Sequence, residues 1–224
     1  MSISGKSLSD VAYERLKHLI VCLDLAPGSV VREEELISRA GVGRTPVREA
    51  LQRLQRDQLV VVLPRQGVMV TAIDIAELPL LYETRSILEP YVHRLAALRG
   101  TEQHWRAMDD AMQRVESLGP EAPWEDLLGL DRLCHEIVWQ AGANRFLIET
   151  LDMLFTQSER LWHLYLKDVA DMRHPIAEHR AILVALRARD GEAAATMIEA
   201  HVRSFEEQTR AVVYDRLRSP LAAS

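Results

Sequence analysis

Residues 41–60 read GVGRTPVREALQRLQRDQLV. Gly41 supplies a turn, and Thr45–Pro46 is a helix start signal: a hydroxyl residue caps, and proline fits the first helical position because no N–H is needed there. Val47, Ala50, Leu51 and Leu54 form one apolar face, while Arg44, Arg48, Gln52 and Gln55 fall largely off it. Upstream, SLSDVAYERLKHLIVCL (7–23) sets Val11, Leu16, Leu19, Ile20 and Leu23 at helical spacing, with Ser7 or Ser9 as cap and Ala-Pro-Gly at 26–28 as terminator. EEELISRA (33–40) is a short helix, acidic in its first turn as the macrodipole favours. Downstream, LVVVLP (59–64) and GVMVTA (67–72) read as short strands around Pro-Arg-Gln-Gly. Three helices and a hairpin predict a winged helix-turn-helix over residues 1–72.

The strand signal stops after Thr71. Residues 73–78 read as a linker, and helical periodicity fills 79–218, with helices expected near 74–99, 102–117, 123–141, 144–167, 171–188 and 190–215. Helices of this length with short connections predict an antiparallel all-helical bundle. The expected fold class is therefore mainly α, a winged helix-turn-helix domain followed by a helical bundle. There is no fixed-period repeat and no low-complexity segment.

A hydrophobic content of 48% in 224 residues is ample for a packed core. Two cysteines, Cys22 and Cys134, do not make a disulfide framework. The N-terminus MSISGKSLSD lacks an apolar signal core, and no run approaches 18 apolar residues. A soluble, cytoplasmic protein with no membrane partner is expected. The net charge of −6 is uneven: residues 1–72 hold 10 Lys/Arg and 8 Asp/Glu, the remainder 17 and 25. Six arginines lie within 39–65 against Glu49 and Asp57. A confined basic stretch in an acidic chain points to an anion-binding face, with a solvated helix surface as the alternative.

A DNA major groove admits one helix, whose N-terminal side chains reach base edges. Arg44 and Arg48 stand at that end of the helix that starts at Thr45, and arginine suits bidentate contact with guanine. Arg65 and Gln66 at the hairpin tip are placed to reach backbone or minor groove, whereas Arg53 and Arg56 suit phosphate contact or plain solvation. The stretch ELISRAGVGRTPVREALQRLQRDQLVVVLPRQGVMV resembles the DNA-binding domain of the GntR family of bacterial transcription regulators. The resemblance covers about residues 8–72, and RTPVREAL is its most specific part. It implies a homodimer on a pseudo-palindromic double-stranded DNA operator, with contacts from Arg44, Thr45, Arg48 and Gly67. Two departures stand out. Gly43 replaces the family's usual Ser, which removes one phosphate contact, and Gln58 replaces a Gly that commonly follows the recognition helix, which implies a mildly strained turn.

In the second half, DRLCH (131–135) sets Asp131 and His135 one helical turn apart. With His179 and His201, each among apolar neighbours, they form a candidate ligand set, and three imidazoles with one carboxylate suit Zn, Ni, Mn or Fe. On spacing alone, ordinary core or surface histidines are the simpler reading. Cys134 offers a thiolate for zinc or a small buried apolar side chain, and the second is preferred.

LYETRSILEPYVHRLAA (81–97), DRLCHEIVWQAGAN (131–144), EHRAILVALRARDGEAA (178–194) and AHV (200–202) resemble, in order and spacing, the FCD ligand-binding domain of the FadR-like branch of that family. This resemblance spans roughly 75–215. It implies a divalent metal on Asp131, His135, His179 and His201, and a carboxylic-acid effector held by Arg85. An i,i+4 pair with Glu89 is the alternative for Arg85. Asn144 is read as a helix cap, with effector contact as its other reading. Arg160 and His163 are pocket-lining candidates, and His93 and His104 read as surface. The expected function is a ligand-responsive transcription regulator, not an enzyme, because no base stands by the metal; Glu136 and Glu178 adjoin ligands but are expected to point away from it. A purely structural metal is the alternative, and a metal-dependent enzyme fused to a DNA-binding domain the remote one.

Overall fold

The computed structural model describes residues 6–119, 122–165 and 173–218. Its contacts divide into two compact units, one built on residues up to Ile75 with Glu159–Leu164, the other on Ala76–Ser158 and the rest of the chain.

The first unit contains α1 (Leu8–Val21), β1 (Val30–Val31), α2 (Glu33–Ala40), α3 (Arg44–Arg56), β2 (Val60–Leu63) and β3 (Gly67–Val70). Ser7 and Asp10 cap α1 reciprocally: the Asp10 N–H donates to Ser7 Oγ at 3.1 Å and the Ser7 N–H to Asp10 Oδ2 at 3.2 Å. The helix ends at Val21, short of the expected 23, because Leu23 turns left-handed with φ 65°. Gly41 closes α2 at φ 66°, as a left-handed C-cap should. Helix α3 begins one residue earlier than the start signal suggests. Gly43 is its N-cap and makes no side-chain cap bond, so Thr45 and Pro46 sit inside the first turn. Backbone N–H groups there have no intrahelical partner, so proline still costs nothing.

The hairpin forms as expected, with Val60 opposite Val70 and Leu63 opposite Gly67. A third strand, β1, was not legible in the sequence. It pairs antiparallel with β3 through Val30–Met69 and Val31–Val68, giving the order β1-β3-β2. Gly67 has φ 121°, and a Cβ there would lie 2.6 Å from the Val31 carbonyl oxygen. Glycine is thus required where β1 meets the wing. Gln58 carries φ 60°, in line with the strained turn expected at that departure. Leu16 and Ile20 of α1 pack with Leu36, Val47, Leu54 and Val68 in one buried cluster. Each such side chain stabilises the fold by about 1.5–3 kcal/mol through burial.

A 3-10 turn (Ile75–Glu77) precedes α4 (Leu78–Arg99), α5 (Glu102–Ser117), α6 (Trp124–Gly142), α7 (Arg145–Tyr165), α8 (Arg173–Arg187) and α9 (Gly191–Arg218). The expected helix ends near 167 and 171 fall outside the described residues. In the second unit α4 packs against α6 and α9, α5 against α6 and α8, and α8 against α9. The turn after α6 shifts by one residue from the expected Gly142. Gly142 is still helical, and a Cβ on it would meet Val92 Cγ2 at 2.7 Å, while the left-handed residue is Ala143 at φ 50°. Tyr82, Trp105, Met108, Trp139, Phe155 and Phe205 fill the interior. Among the described residues, no helix is long and apolar enough to cross a membrane.

Candidate metal centre and DNA-binding face

Asp131 and His135 project from α6, His179 from α8 and His201 from α9, and all four are at most 2% exposed. The periodicity that buries them also brings them together: every donor atom of the set lies within 4.8 Å of the others. His179 Nε2 is 2.9 Å from Asp131 Oδ1, His201 Nε2 3.9 Å from the same oxygen, and His135 Nε2 4.0 Å from Asp131 Oδ2. The three Nε2 atoms thus face one carboxylate.

Burial alone would raise the Asp131 pKa, but a hydrogen bond from His179 and the charges of the three imidazoles hold it below the usual carboxylate range. Burial lowers His179, against the opposing pull of Asp131, so its neutral form is favoured. A carboxylate beside a neutral imidazole is an arrangement that ligates a divalent cation. The donor set passes a second test. Asp131 Oδ2, both ring nitrogens of His135 and His179 Nδ1 are buried without a hydrogen-bond partner among the described residues. Such atoms are costly in an apolar interior, and a cation facing Asp131 Oδ2 and His135 Nε2 would satisfy those two. Cys134 does not join the set. It is fully buried, its Sγ lies 3.8 Å from Met112 Sδ, and burial followed by the Asp131 charge pushes its thiol up to about 12.

Two glutamates form an outer layer. Glu89 Oε1 is 3.3 Å from His135 Nδ1, and Glu178 Oε2 is 2.8 Å from His201 Nδ1. Sequence reasoning missed both roles. Glu89 was visible only as an i,i+4 partner for Arg85, and Glu178 only as a neighbour of His179. Arg85 is 2% exposed and donates to Glu89 Oε1 at 3.2 Å and to Ser158 Oγ at 3.1 Å. The Trp139 indole N–H donates to Glu89 Oε2 at 3.0 Å. Burial opposes ionisation of Glu89, yet the charges of His135 and the Arg85 guanidinium lower its pKa.

His93 departs from the surface reading. It is buried, donates from Nδ1 to the Glu89 carbonyl oxygen at 2.7 Å, and is pushed down to about 4, chiefly by burial. His104 accepts the Thr101 N–H at 3.1 Å and closes the start of α5. Asn144 caps α7, its Oδ1 accepting the Phe146 N–H at 3.1 Å. Arg160 donates to the Thr71 hydroxyl at 2.9 Å.

On the first unit, Arg44, Thr45, Arg48 and Arg65 are exposed, and Gly67 is partly so. Arg48 meets Glu33 in a bidentate pair, Nε to Oε1 at 3.0 Å and an Nη to Oε2 at 3.2 Å. Arg44 Nε lies 3.3 Å from the same Glu33 Oε1. Arg65 has φ 63° at the wing tip. An open groove runs between α3 and the wing, lined by Arg48, Gln52, Gln55, Arg65 and Gln66. Arg53 is tied down elsewhere, 2.7 Å from Asp10 and stacked 3.9 Å above the Tyr13 ring.

Comparison with known proteins agrees with both halves. Residues 8–70 match the gntR family of bacterial regulatory proteins, and residues 80–204 match the FCD domain. The chain is 26% identical over 200 residues to the HTH-type transcriptional repressor RspR of Escherichia coli K12, covering 89% of this chain and 88% of that one. It is 30% identical over 206 residues to the HTH-type transcriptional regulator BphR of Paraburkholderia xenovorans LB400, covering 89% and 84%. Among solved structures, E. coli McbR/YncC superposes with a TM-score of 0.79 at 23% identity, over 95% of this chain and 99% of that one. These families and relatives are transcription regulators, not enzymes. The chain is therefore a DNA-binding transcription regulator of the GntR family, carrying an FCD domain behind its winged helix-turn-helix.

Proposed function

We propose that this regulator is a homodimer that binds a pseudo-palindromic operator through Arg44, Thr45, Arg48, Arg65 and Gly67, and senses a small carboxylic acid at a divalent metal held by Asp131, His135, His179 and His201. The observation that carries the reading is the buried ligand set, with Asp131 Oδ2 and His135 Nε2 left without partners. A bound cation of the Zn, Ni, Mn or Fe type supplies positive charge for a carboxylate effector. Arg85 and Asn144 are the effector contacts in this proposal, and effector binding acts by favouring one placement of the two DNA-binding domains.

An apolar stripe on α4 supports the dimer. Leu80, Ile87, Tyr91 and Leu98 are each more than half exposed and share one helix face. Their intervals of seven, four and seven residues read the same in both directions, so the face matches itself when two copies pair antiparallel. A two-fold interface requires such self-complementarity.

A purely structural metal is the second reading, favoured by one observation: Arg85 is buried and already engaged with Glu89 and Ser158. Elemental analysis with a thermal-shift screen of metals and carboxylic acids separates the two. The sensor reading expects metal in the wild type, its loss in His135→Ala and His201→Ala, and acids that raise the melting temperature only of metal-loaded protein. Full metal occupancy in both variants would sink the site. Metal-dependent melting with no response to any acid would leave the structural role.

A further inference from the structure

The three imidazoles of the cluster are not equivalent on their far sides. All three turn Nε2 towards Asp131. Their Nδ1 atoms meet three different environments. That of His201 lies 2.8 Å from the Glu178 carboxylate, which belongs to the helix carrying His179. That of His135 lies 3.3 Å from the Glu89 carboxylate, which Arg85 and Trp139 hold from α4 and α6. That of His179 is buried with no carboxylate ion pair among the described residues; neither it nor His135 Nδ1 makes a hydrogen bond, so the 3.3 Å ion pair with Glu89 is what sets His135 apart.

A neutral imidazole carries one proton, and only the bare nitrogen can ligate. A carboxylate on one ring nitrogen draws the proton there, orients the ring and raises the basicity of the other nitrogen. We propose that Glu178 and Glu89 are positioning residues that fix His201 and His135 with Nδ1 protonated and Nε2 directed at the metal, leaving His179 as the one ligand without a carboxylate behind it. The inference rests on the metal reading above but concerns residues outside the ligand set. It assigns Glu178 a job although its side chain is about a third exposed, where an ordinary surface glutamate would do little.

The geometry also separates the rings in metal-free protein. His201 and His135 hold the proton on Nδ1, facing their glutamates. His179 holds it on Nε2, donating to Asp131 Oδ1 at 2.9 Å. Loading the site then requires a tautomer change only at His179.

Two measurements test this on the full-length protein. The first is zinc affinity by competition with a chromophoric chelator at neutral pH. Glu178→Leu, which removes the acceptor, is expected to weaken zinc binding by about 10–100-fold. Glu178→Gln, which keeps an acceptor oxygen but loses the charge, should fall between Glu178→Leu and wild type. Glu136→Gln serves as the control: Glu136 is next to His135 in sequence but pairs with Arg132 at 2.7 Å, so zinc affinity should not change. The second measurement is long-range proton–nitrogen NMR of the imidazoles in metal-free protein. It should report Nδ1–H for His135 and His201, Nε2–H for His179, and a shift towards Nε2–H at His201 in Glu178→Leu. Wild-type zinc affinity in Glu178→Leu, or Nε2–H at His201 in wild type, overturns the proposal while leaving the metal site standing. A wild type that binds none of Zn, Ni, Mn or Fe removes the metal reading and this inference with it.

Discussion

Two of the chain's ion-pair clusters sit in different surroundings, and solvent makes them behave differently. On the winged-helix unit, Glu33 holds Arg44 and Arg48, whose side chains are 57% and 60% exposed. In the bundle, Arg85 and Glu89 pair at 2% and 0% exposure beside the histidine cluster. In water an ion pair is worth little and exchanges readily, so Glu33 can release its arginines to phosphates or bases. In the interior, each charge removed from its partner is left uncompensated, so the pair holds its shape. One face is built to let go of its counter-ion, the other to keep it.

The largest test of this contrast is Arg85→Ala. Removing one partner of a buried pair typically destabilises by about 3–5 kcal/mol. A denaturant midpoint equal to that of wild type would end the distinction. Acid is the next probe. Burial pushes the folded His93 down to about 4 from the ordinary histidine value of 6.5. Between those pH values the unfolded chain binds a proton that the folded chain refuses, so stability falls as pH drops from about 6.5 to 4. The loss is on the order of 3 kcal/mol, read from urea midpoints of metal-free protein. A flat profile across that window would contradict the burial of His93.

Arg48→Ala should act the other way round. Operator affinity should fall by roughly 1–3 kcal/mol, or more if the contact is central, while the melting temperature barely changes because the side chain is exposed. Operator binding unchanged at physiological salt would remove α3 as the reading helix. The smallest effect belongs to Glu33→Gln. Freed of its acceptor charge, the face should bind non-specific DNA slightly tighter, by about 0.2–1 kcal/mol, with little change in fold stability. Weaker non-specific binding would mean that Glu33 chiefly orders the arginines.

How much of this was legible in the sequence follows from the range of each interaction. Helix α3 and the hairpin showed themselves because cap, apolar stripe and turn lie within a few residues of one another. Strand β1 did not, since Val30–Val31 becomes a strand only by pairing with β3, nearly 40 residues away. Asp131, His135, His179 and His201 were visible as a candidate set, and the resemblance favoured a metal over ordinary core histidines. Their outer glutamates were hidden because Glu178 serves a histidine on α9 rather than its own neighbour. His93 misled for a related reason. Its burial depends on elements packing around α4, and the local pattern RSILEPYVHRLAA carries polar residues on several sides.

The corner after α6 puts two adjacent residues under opposite demands. Gly142 is glycine for want of space, since a methyl group would press on Val92 at 2.7 Å. Ala143 holds a left-handed backbone at φ 50°, the conformation that favours glycine. The two are therefore separable by exchange. Ala143→Gly should stabilise the bundle by about 1 kcal/mol, whereas Gly142→Ala should cost about 1–3 kcal/mol. A laboratory seeking a hardier regulator can relax the first residue, at a surface turn, and must leave the second alone.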